Sequence, residues 1–412
     1  MLKSLFTSLT VVALMLLTGI AGAAEKEPLR IAYIDPLSGP MAAVGTISYE
    51  QFKFDAARIN KAGGINGHKI EIIGFDNKIS PQESLVQLRK AMDAGIHYVA
   101  QANGSSVGSA LLNAIAKHNQ RSPDDRVLYL NFGAVDPAFT NQRCSFWHFR
   151  FDANATMKMN TLTSWIAKQK NIHKVFLINQ DYSFGHSVSD DARQMLKEKR
   201  PDIEIVGNVF HPLAKVKDFT PYVSQIKASG ADAVITGNWG QDITLLIKAA
   251  ADYGLDIPFM TYYANSVGTI SAVGDKGVGR VNLVWLWNGD YKDPQMAQRE
   301  LTMYKQTGYD YGDLRATYTI EMLKKAAEKA GSIDPTKVAF ALEGLQYEGP
   351  AGTAVMRAAD HQIQVPMFIS KMQDNMKYGA EGTPYNFHAL HQFSAADGEL
   401  PTTCHMRRPK KI

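Results

Sequence analysis

Apolar positions alternate over Leu29–Ile34 (LRIAYI), turn residues follow at Asp35–Pro40 (DPLSGP), and from about Gly45 to Asn60 the apolar spacing becomes helical. A two-residue period belongs to a strand and a 3.6-residue period to a helix, so the stretch predicts strand, loop and helix in that order. A strand that feeds a helix through Ser, Gly and Pro leaves backbone N–H groups and a positive dipole end facing outward. That arrangement suits a small ligand carrying a carboxylate.

The alternation continues through most of the chain. Strands are expected at KIEIIGFDN, HYVAQANG and VLYLNF, with helices at PQESLVQLRKAMDAG and SALLNAIAKHN between them. A second series opens with the helix ATMKMNTLTSWIAKQK. Its strands KVFLIN, IEIVGNVF, DAVITG and PFMTYY alternate with helices near SVSDDARQMLKEK, TPYVSQIKASG and ITLLIKAAADYG. The strand VNLVWLWNGDY then leads to helices at PQMAQRELTMYKQTG and ATYTIEMLKKAAEKAG. Such alternation predicts parallel sheets covered by helices, and each series has the size of one doubly wound domain. No internal repeat is evident. Residues 376–412, rich in His, Pro, Gly and Ala, break the rhythm and predict an irregular extension.

The N-terminus adds a compartment. Lys3, an apolar core from Val11 to Leu17 and the small residues Ala21, Gly22, Ala23 and Ala24 form the pattern of a cleaved secretory signal over residues 1–23. The apolar core is shorter than the roughly 20 residues that span a bilayer, so a membrane anchor is the weaker reading. No cysteine lies near the cleavage site to accept a lipid. The mature chain is therefore expected to be soluble and periplasmic. At about 390 residues it is too long for one compact core and comfortable for two α/β lobes.

The charge is balanced, with 44 Lys and Arg against 40 Asp and Glu. The only basic cluster, Arg407, Arg408, Lys410 and Lys411, reads as a solvated tail, and no positive face argues for nucleic acid. The two cysteines, Cys144 and Cys404, are expected to pair in an oxidising compartment, with two buried free thiols as the alternative.

Four motifs then carry a resemblance: PLSGPMAAVG at the first loop, INGHKIEIIGFDNKISPQES, NQDYSFGHSV and YEGPAGTAVMRAADHQIQVPMFI. In this order, over Leu29 to Met372, the chain resembles the periplasmic solute-binding proteins of the branched-chain amino acid (leucine/isoleucine/valine-binding) type, which serve ABC importers. The resemblance implies an α/β fold, the type I periplasmic binding protein with two doubly wound lobes joined by three hinge crossings. The crossings would fall near His148, Leu286 and Val365. Lobe 1 would then comprise 28–148 and 286–364, and lobe 2 would comprise 149–285 and 365–375, followed by the extension at 376–412. It further implies a monomer that needs no cofactor, performs no catalysis, and closes around a small organic solute for delivery to the importer's permease subunits. A periplasmic sensor using the same clamp is the near alternative.

Carried over residue by residue, the resemblance implies that Ser105 binds the ligand carboxylate, assisted by the backbone of the turn at Gly133 and Ala134. Val135 replaces a threonine often found next. Tyr182 and Trp239 would line the second-lobe side. Tyr263 falls where an acidic residue usually meets the ammonium of an amino acid. Burying an ammonium without an anionic partner is costly, so Tyr263 points to a ligand lacking the α-amino group: an aromatic, keto or hydroxy acid, or an amide. Asp181 or Asp242 could instead supply the carboxylate. Tyr262, Trp285 and Trp287 offer stacking surface, although Trp285 and Trp287 share one strand face and could equally fill the lobe interior.

Two other chemistries fit parts of the chain less well. Gly104-Ser105-Ser106-Val107-Gly108 matches the G-x-S-x-G pattern of an esterase-like α/β-hydrolase, with Ser106 as nucleophile, but carboxylate binding accounts for the same residues. His388, His391, Cys404 and His405 invite a metal, yet the spacing is loose and Cys404 has a use in a disulfide. No Walker loop and no G-x-G-x-x-G fingerprint occurs.

Overall fold

The computed structural model describes residues 26–290, 294–310 and 313–411. The leader expected over residues 1–23 lies outside the described residues. The described residues begin with β1 (Leu29–Asp35), α1 (Ala42–Lys61), β2 (Ile70–Asp76), α2 (Pro81–Asp93), β3 (Tyr98–Gln101), α3 (Ser105–Arg121), β4 (Leu128–Asn131) and, after a 3-10 turn at Pro137–Thr140, β5 (His148–Arg150). The strands form one five-stranded parallel sheet in the order β2-β1-β3-β4-β5. Nearly every residue of β1, β3 and β4 is buried, as expected of parallel strands covered on both faces. Tyr33, Phe52 and Phe132 meet at ring-centre distances of 5.0 to 5.9 Å in the core beneath the sheet's C-terminal edge.

After Arg150 the chain passes to a second body. Asn154 caps α4 (Ala155–Ile166) by accepting from the Met157 N–H at 2.9 Å. There follow β6 (Lys174–Gln180), α5 (Ser183–Lys199), β7 (Glu204–His211), α6 (Thr220–Ser229), β8 (Ala233–Thr236), α7 (Gln241–Asp252), β9 (Phe259–Thr261), α8 (Thr269–Val273) and β10 (Val281–Trp285). The chain then returns to the first body through α9 (Pro294–Thr307), α10 (Leu314–Ala330) and α11 (Pro335–Leu342). There α10 packs on α1 and α11 on β4, and the Tyr98 hydroxyl donates to the Ile333 carbonyl at 2.7 Å. A small antiparallel sheet of β11 (Gln346–Gly349), β12 (Gly352–Met356) and β13 (Ile363–Gln364) precedes the last passage, into β14 (Met367–Gln373).

The second sheet has seven strands in the order β15-β14-β10-β9-β8-β6-β7. Its edge corrects the expectation of an irregular C-terminal extension. Asn386–Phe393 forms β15, antiparallel to β14 with Met367 opposite Phe393 and Gln373 opposite Asn386, and α12 (Ala395–Gly398) follows. The histidines hide the strand from a sequence reading. His388 is exposed while Phe387 and Phe393 are buried, and the pairing register slips between Ile369 and Ser370, which interrupts the two-residue period. Beyond α12, which packs on α4, the chain runs back onto the first body. Thr402 donates to the Thr140 carbonyl at 2.8 Å, and Cys404 is joined to Cys144 by a disulfide.

Candidate functional site

The C-terminal ends of β1, β3 and β4 present their loops to the gap between the two sheets, where open parallel sheets generally bind ligands. Asp35 ends β1 fully buried, and its carboxylate shapes the β3–α3 loop. It accepts from the Asn103 N–H and the Asn103 side-chain amide, both at 2.9 Å, from the Ala102 N–H at 3.3 Å and from the Tyr33 hydroxyl at 3.1 Å. Burial pushes the Asp35 carboxyl up to about 6, against the opposing effect of these donors. Gly104, at φ 85°, turns the loop into α3. By helix geometry the N–H groups of Ser105, Ser106 and Val107 have no intrahelical acceptor. Ser105 lines a cavity of about 330 Å³, and its hydroxyl has no hydrogen-bond partner among the described residues.

The next turn departs from expectation. The N–H groups of Gly133 and Ala134 both donate to Asn131 Oδ1, at 3.1 and 2.8 Å, so neither is free for a ligand. Gly133 and Val135 line the cavity, whereas Ala134 is buried beside it. Gly133 has a different use. A β-carbon there would lie 2.8 Å from the Ala102 β-carbon and 2.9 Å from Arg315 Nη1, so the bare backbone makes room for the guanidinium.

Arg315, on α10, also lines the cavity. It donates to Asp313 through Nε at 2.8 Å and Nη2 at 2.6 Å, and to Asp152 through Nη1 at 3.4 Å. Asp152 in turn accepts from the buried Lys158 ammonium at 2.8 Å. These groups join the two bodies at the passage after β5. Burial lowers Lys158 to about 8 against the pull of Asp152, while burial opposes but does not cancel the rise that Asp313 and Asp152 impose on Arg315. Lys158 and Arg315 lie 4.6 and 4.5 Å from the Trp285 ring centre.

The facing wall is aromatic. Tyr182 leads into α5, and its hydroxyl accepts from Trp239 Nε1 at 2.8 Å. Tyr263 meets Trp285 edge to face at 5.4 Å and lies 3.3 Å from the Lys158 ammonium. Tyr182, Trp239, Tyr263, Trp285 and Trp287 all line the cavity, so Trp285 at the end of β10 and Trp287 just beyond it serve it rather than only the lobe interior. Tyr262, in contrast, is fully buried outside the lining, its hydroxyl donating to the Ala155 carbonyl at 2.9 Å.

Neither carboxylate suggested from sequence is in the cavity. Asp242 accepts from Gln180 at 2.7 Å and from the Ala214 N–H at 2.9 Å, and Asp181 is an exposed partner of His186 at 2.9 Å. Among the described residues, the carboxylates that do line it are Glu300, Asp310, Asp313 and Glu381, all absent from the sequence reading. A signal for one of them exists. Glu300 shares the buried face of α9 with Met296, Ala297 and Met303, a position where an unpaired acid is out of place. The C-terminal segment contributes Ala380, Glu381, Asn386 and Phe387 to the same lining.

Ser106 is exposed and outside the lining, with no hydrogen bond to a histidine among the described residues. His388 pairs with Asp290 at 2.8 Å, and among the described residues no group of three or more His, Cys, Asp or Glu side chains is placed to hold a metal ion.

The family model described as "Periplasmic binding protein" matches residues 28–377. The "Leu/Ile/Val-binding protein homolog 4" of Brucella melitensis is 33% identical over 407 residues, covering 96% of this chain and 97% of its own. The crystal structure of the leucine-, isoleucine-, valine-, threonine-, and alanine-binding protein of Brucella ovis, in a closed conformation, superposes with a TM-score of 0.84 at 31% identity, covering 93% of this chain and all of that one. A solute-binding protein of an ABC transporter from Rhodopseudomonas palustris, in complex with 3,4-dihydroxybenzoic acid, superposes with a TM-score of 0.78 at 20% identity over 89% of this chain and 98% of its own, a likeness of fold alone.

Proposed function

The chain belongs to the periplasmic binding protein family, of the branched-chain amino acid type, and on that premise we propose that it is an extracytoplasmic receptor that closes around a small carboxylate-bearing organic solute. The observation that carries this reading is the pairing of two unlike walls across one cavity. On one side stand the unpartnered Ser105 hydroxyl and the free N–H groups at the start of α3; on the other stand Tyr182, Trp239 and Tyr263. An anion meets fixed donors and a positive helix end on the first wall, and the apolar remainder of the solute meets rings on the second. The Gly133 and Ala134 backbone contributes shape rather than donors.

The lobes would hinge at the three passages after β5, after β10 and between β13 and β14. Binding energy then favours the closed form, the form presented to an ABC importer after removal of the leader in the periplasm. Amino acids come first among candidate solutes because the similar Brucella proteins are named for them. The carboxylates found in the cavity remove the argument from Tyr263 against an amino group.

The test is a thermal-shift and calorimetric screen of the purified mature chain against leucine, valine, alanine, benzoate, 4-hydroxybenzoate, 2-keto acids and amides. A ligand that binds only the folded state raises the melting temperature, increasingly as its concentration exceeds the dissociation constant. The expected result is a shift with one carboxylate series that is lost in Ser105→Ala. No shift with any carboxylate would count against the receptor reading.

A further inference from the structure

A second cavity, of about 300 Å³, opens wholly within the second body. The strand β10 runs between the two openings: it begins beside this one with Asn282 and ends at the other with Trp285. Register builds the floor. Asn282 stands opposite Met260 of β9 on one side and Lys371 of β14 on the other, so the three side chains share one face of the sheet. Helix α4 packs on β10 and β14 over that face and ends at Ile166, and Trp165 in its last turn lines the cavity with them. Three polar groups here have no partner among the described residues. Asn282 is 3% exposed, and its amide donates to the Arg280 and Phe259 carbonyls at 3.2 and 3.5 Å, while its Oδ1 accepts from none. Lys371 makes no ion pair, and the Trp165 indole N–H has no acceptor. His391 stacks on Trp165, ring centres 6.2 Å apart, and holds the plane of its ring. The other charges of the lining are used by the protein: Arg280 pairs with Asp256 at 3.7 Å and donates to the Leu255 and Lys276 carbonyls.

We propose that this cavity is a second ligand site, for a small aromatic carboxylate that also carries a hydrogen-bond donor. Lys371 meets the carboxylate, Asn282 Oδ1 takes the donor, and the ring lies against Trp165 and the apolar surface of Pro258 and Leu390. A buried amide oxygen needs a donor, and the cavity is where Asn282 can find one. Among the described residues Lys371 is the one free cation of the lining, which suits a singly charged anion better than a phosphate. The whole lining belongs to the second body, so occupancy does not require the lobes to close, and the site stands or falls separately from the receptor reading.

Equilibrium dialysis of the mature chain against 4-hydroxyphenylacetate at pH 7 tests this. Phenylacetate, which lacks the donor, and 2-(4-hydroxyphenyl)ethanol, which lacks the charge, are the matched probes. The expected result is a bound equivalent of 4-hydroxyphenylacetate that persists in Ser105→Ala and is weakened roughly tenfold or more in Lys371→Ala. An equivalent held between the lobes does not respond to Lys371→Ala, so the two variants tell the sites apart. Phenylacetate and the alcohol are each expected to bind the Lys371-dependent equivalent about fivefold or more weakly. Binding that is unchanged in Lys371→Ala overturns the proposal, and so does no binding at up to about 10 mM probe. Equal binding of the uncharged alcohol overturns it as well, because the anion contact is then absent. Should Lys371→Ala fail to fold, Lys371→Gln, which keeps most of the side chain's length, decides on the same criterion.

Discussion

Gly240 of the second lobe faces Met41 of the first so closely that a β-carbon on the glycine would lie 2.7 Å from the methionine sulfur. Gly240 also sits at φ 59°, ψ −140°, a conformation essentially confined to glycine. It directly follows Trp239, so the backbone that turns the aromatic wall into α7 is also where the lobes touch. Gly240→Ala is expected to lower folding stability by about 1–3 kcal/mol through backbone strain, and to weaken binding of a carboxylate probe by roughly tenfold because Met41 is obstructed. Adding Met41→Ala makes room, and is expected to recover part of the affinity but none of the stability. Urea unfolding and calorimetry separate the two effects. An unchanged dissociation constant in Gly240→Ala would mean that the lobes close without this contact.

Ser105→Ala isolates the anion contact. Because the hydroxyl has no protein partner among the described residues, its loss is expected to leave the melting temperature of the ligand-free protein nearly unchanged. A hydrogen bond to a charged group contributes about 1.5–3 kcal/mol, so affinity for a carboxylate probe is expected to fall by roughly ten- to a hundredfold. Calorimetry on the variant reads this directly. Full retention of affinity would move the anion to Arg315 instead.

The strand-to-helix turns that line the cavity were legible because local signals there are strong. Ser105 and Gly133 follow strands with continuous apolar runs, and Tyr182 and Trp239 stand at strand-to-helix turns marked by Gly and Asp. The rest of the lining depends on the chain returning from far away. Glu300 and Asp310 enter the cavity from residues well beyond the second sheet's parallel strands, and Glu381 and Phe387 from a segment whose composition reads as irregular. No periodicity announces which helix face a distant loop will meet. The turn at Gly133 and Ala134 hides a subtler feature: Asn131 reaches forward to take both N–H groups, and sequence gives no sign of which acceptor wins.

Glu300 also predicts an unusual pH dependence of stability. Its carboxyl is raised from 4.5 to about 9 by burial and by Asp310, so between these values the folded protein holds a proton that the unfolded chain has released. Its contribution is therefore fully present below pH 4.5 and is lost as pH rises toward 9, at no more than about 1.4 kcal/mol per pH unit. Asp35 and Asp310, both raised to about 6 chiefly by burial, act in the same direction over the lower part of that range. Urea unfolding from pH 5 to 9 is expected to show Glu300→Gln gaining on the unmodified protein at each step upward. Parallel curves would mean that Glu300 is ionised in the folded state.

The disulfide ties the last passage of the chain to the first lobe. β15 belongs to the second-lobe sheet and α12 packs on α4, yet Cys404 is bonded to Cys144, which precedes β5 of the first sheet. The segment that ends at Cys404 is thus a fourth covalent connection between the two bodies, anchored by Thr402 to Thr140, and Arg408 just beyond it is held by Glu343. A cross-link spanning 260 residues removes much of the freedom of the unfolded chain. Replacing both cysteines by serine, which leaves no stray thiol, is expected to cost about 2–5 kcal/mol of stability. It is also expected to widen the ligand-free protein in small-angle scattering, because a tether shortens the arc through which two lobes can part. The two readouts bear on different links of the argument. Lower stability with an unchanged scattering profile would make the bond a staple of the unfolded ensemble alone. A wider profile would show that the C-terminal segment sets how far the clamp opens, and hence how much of the binding free energy is used to close it.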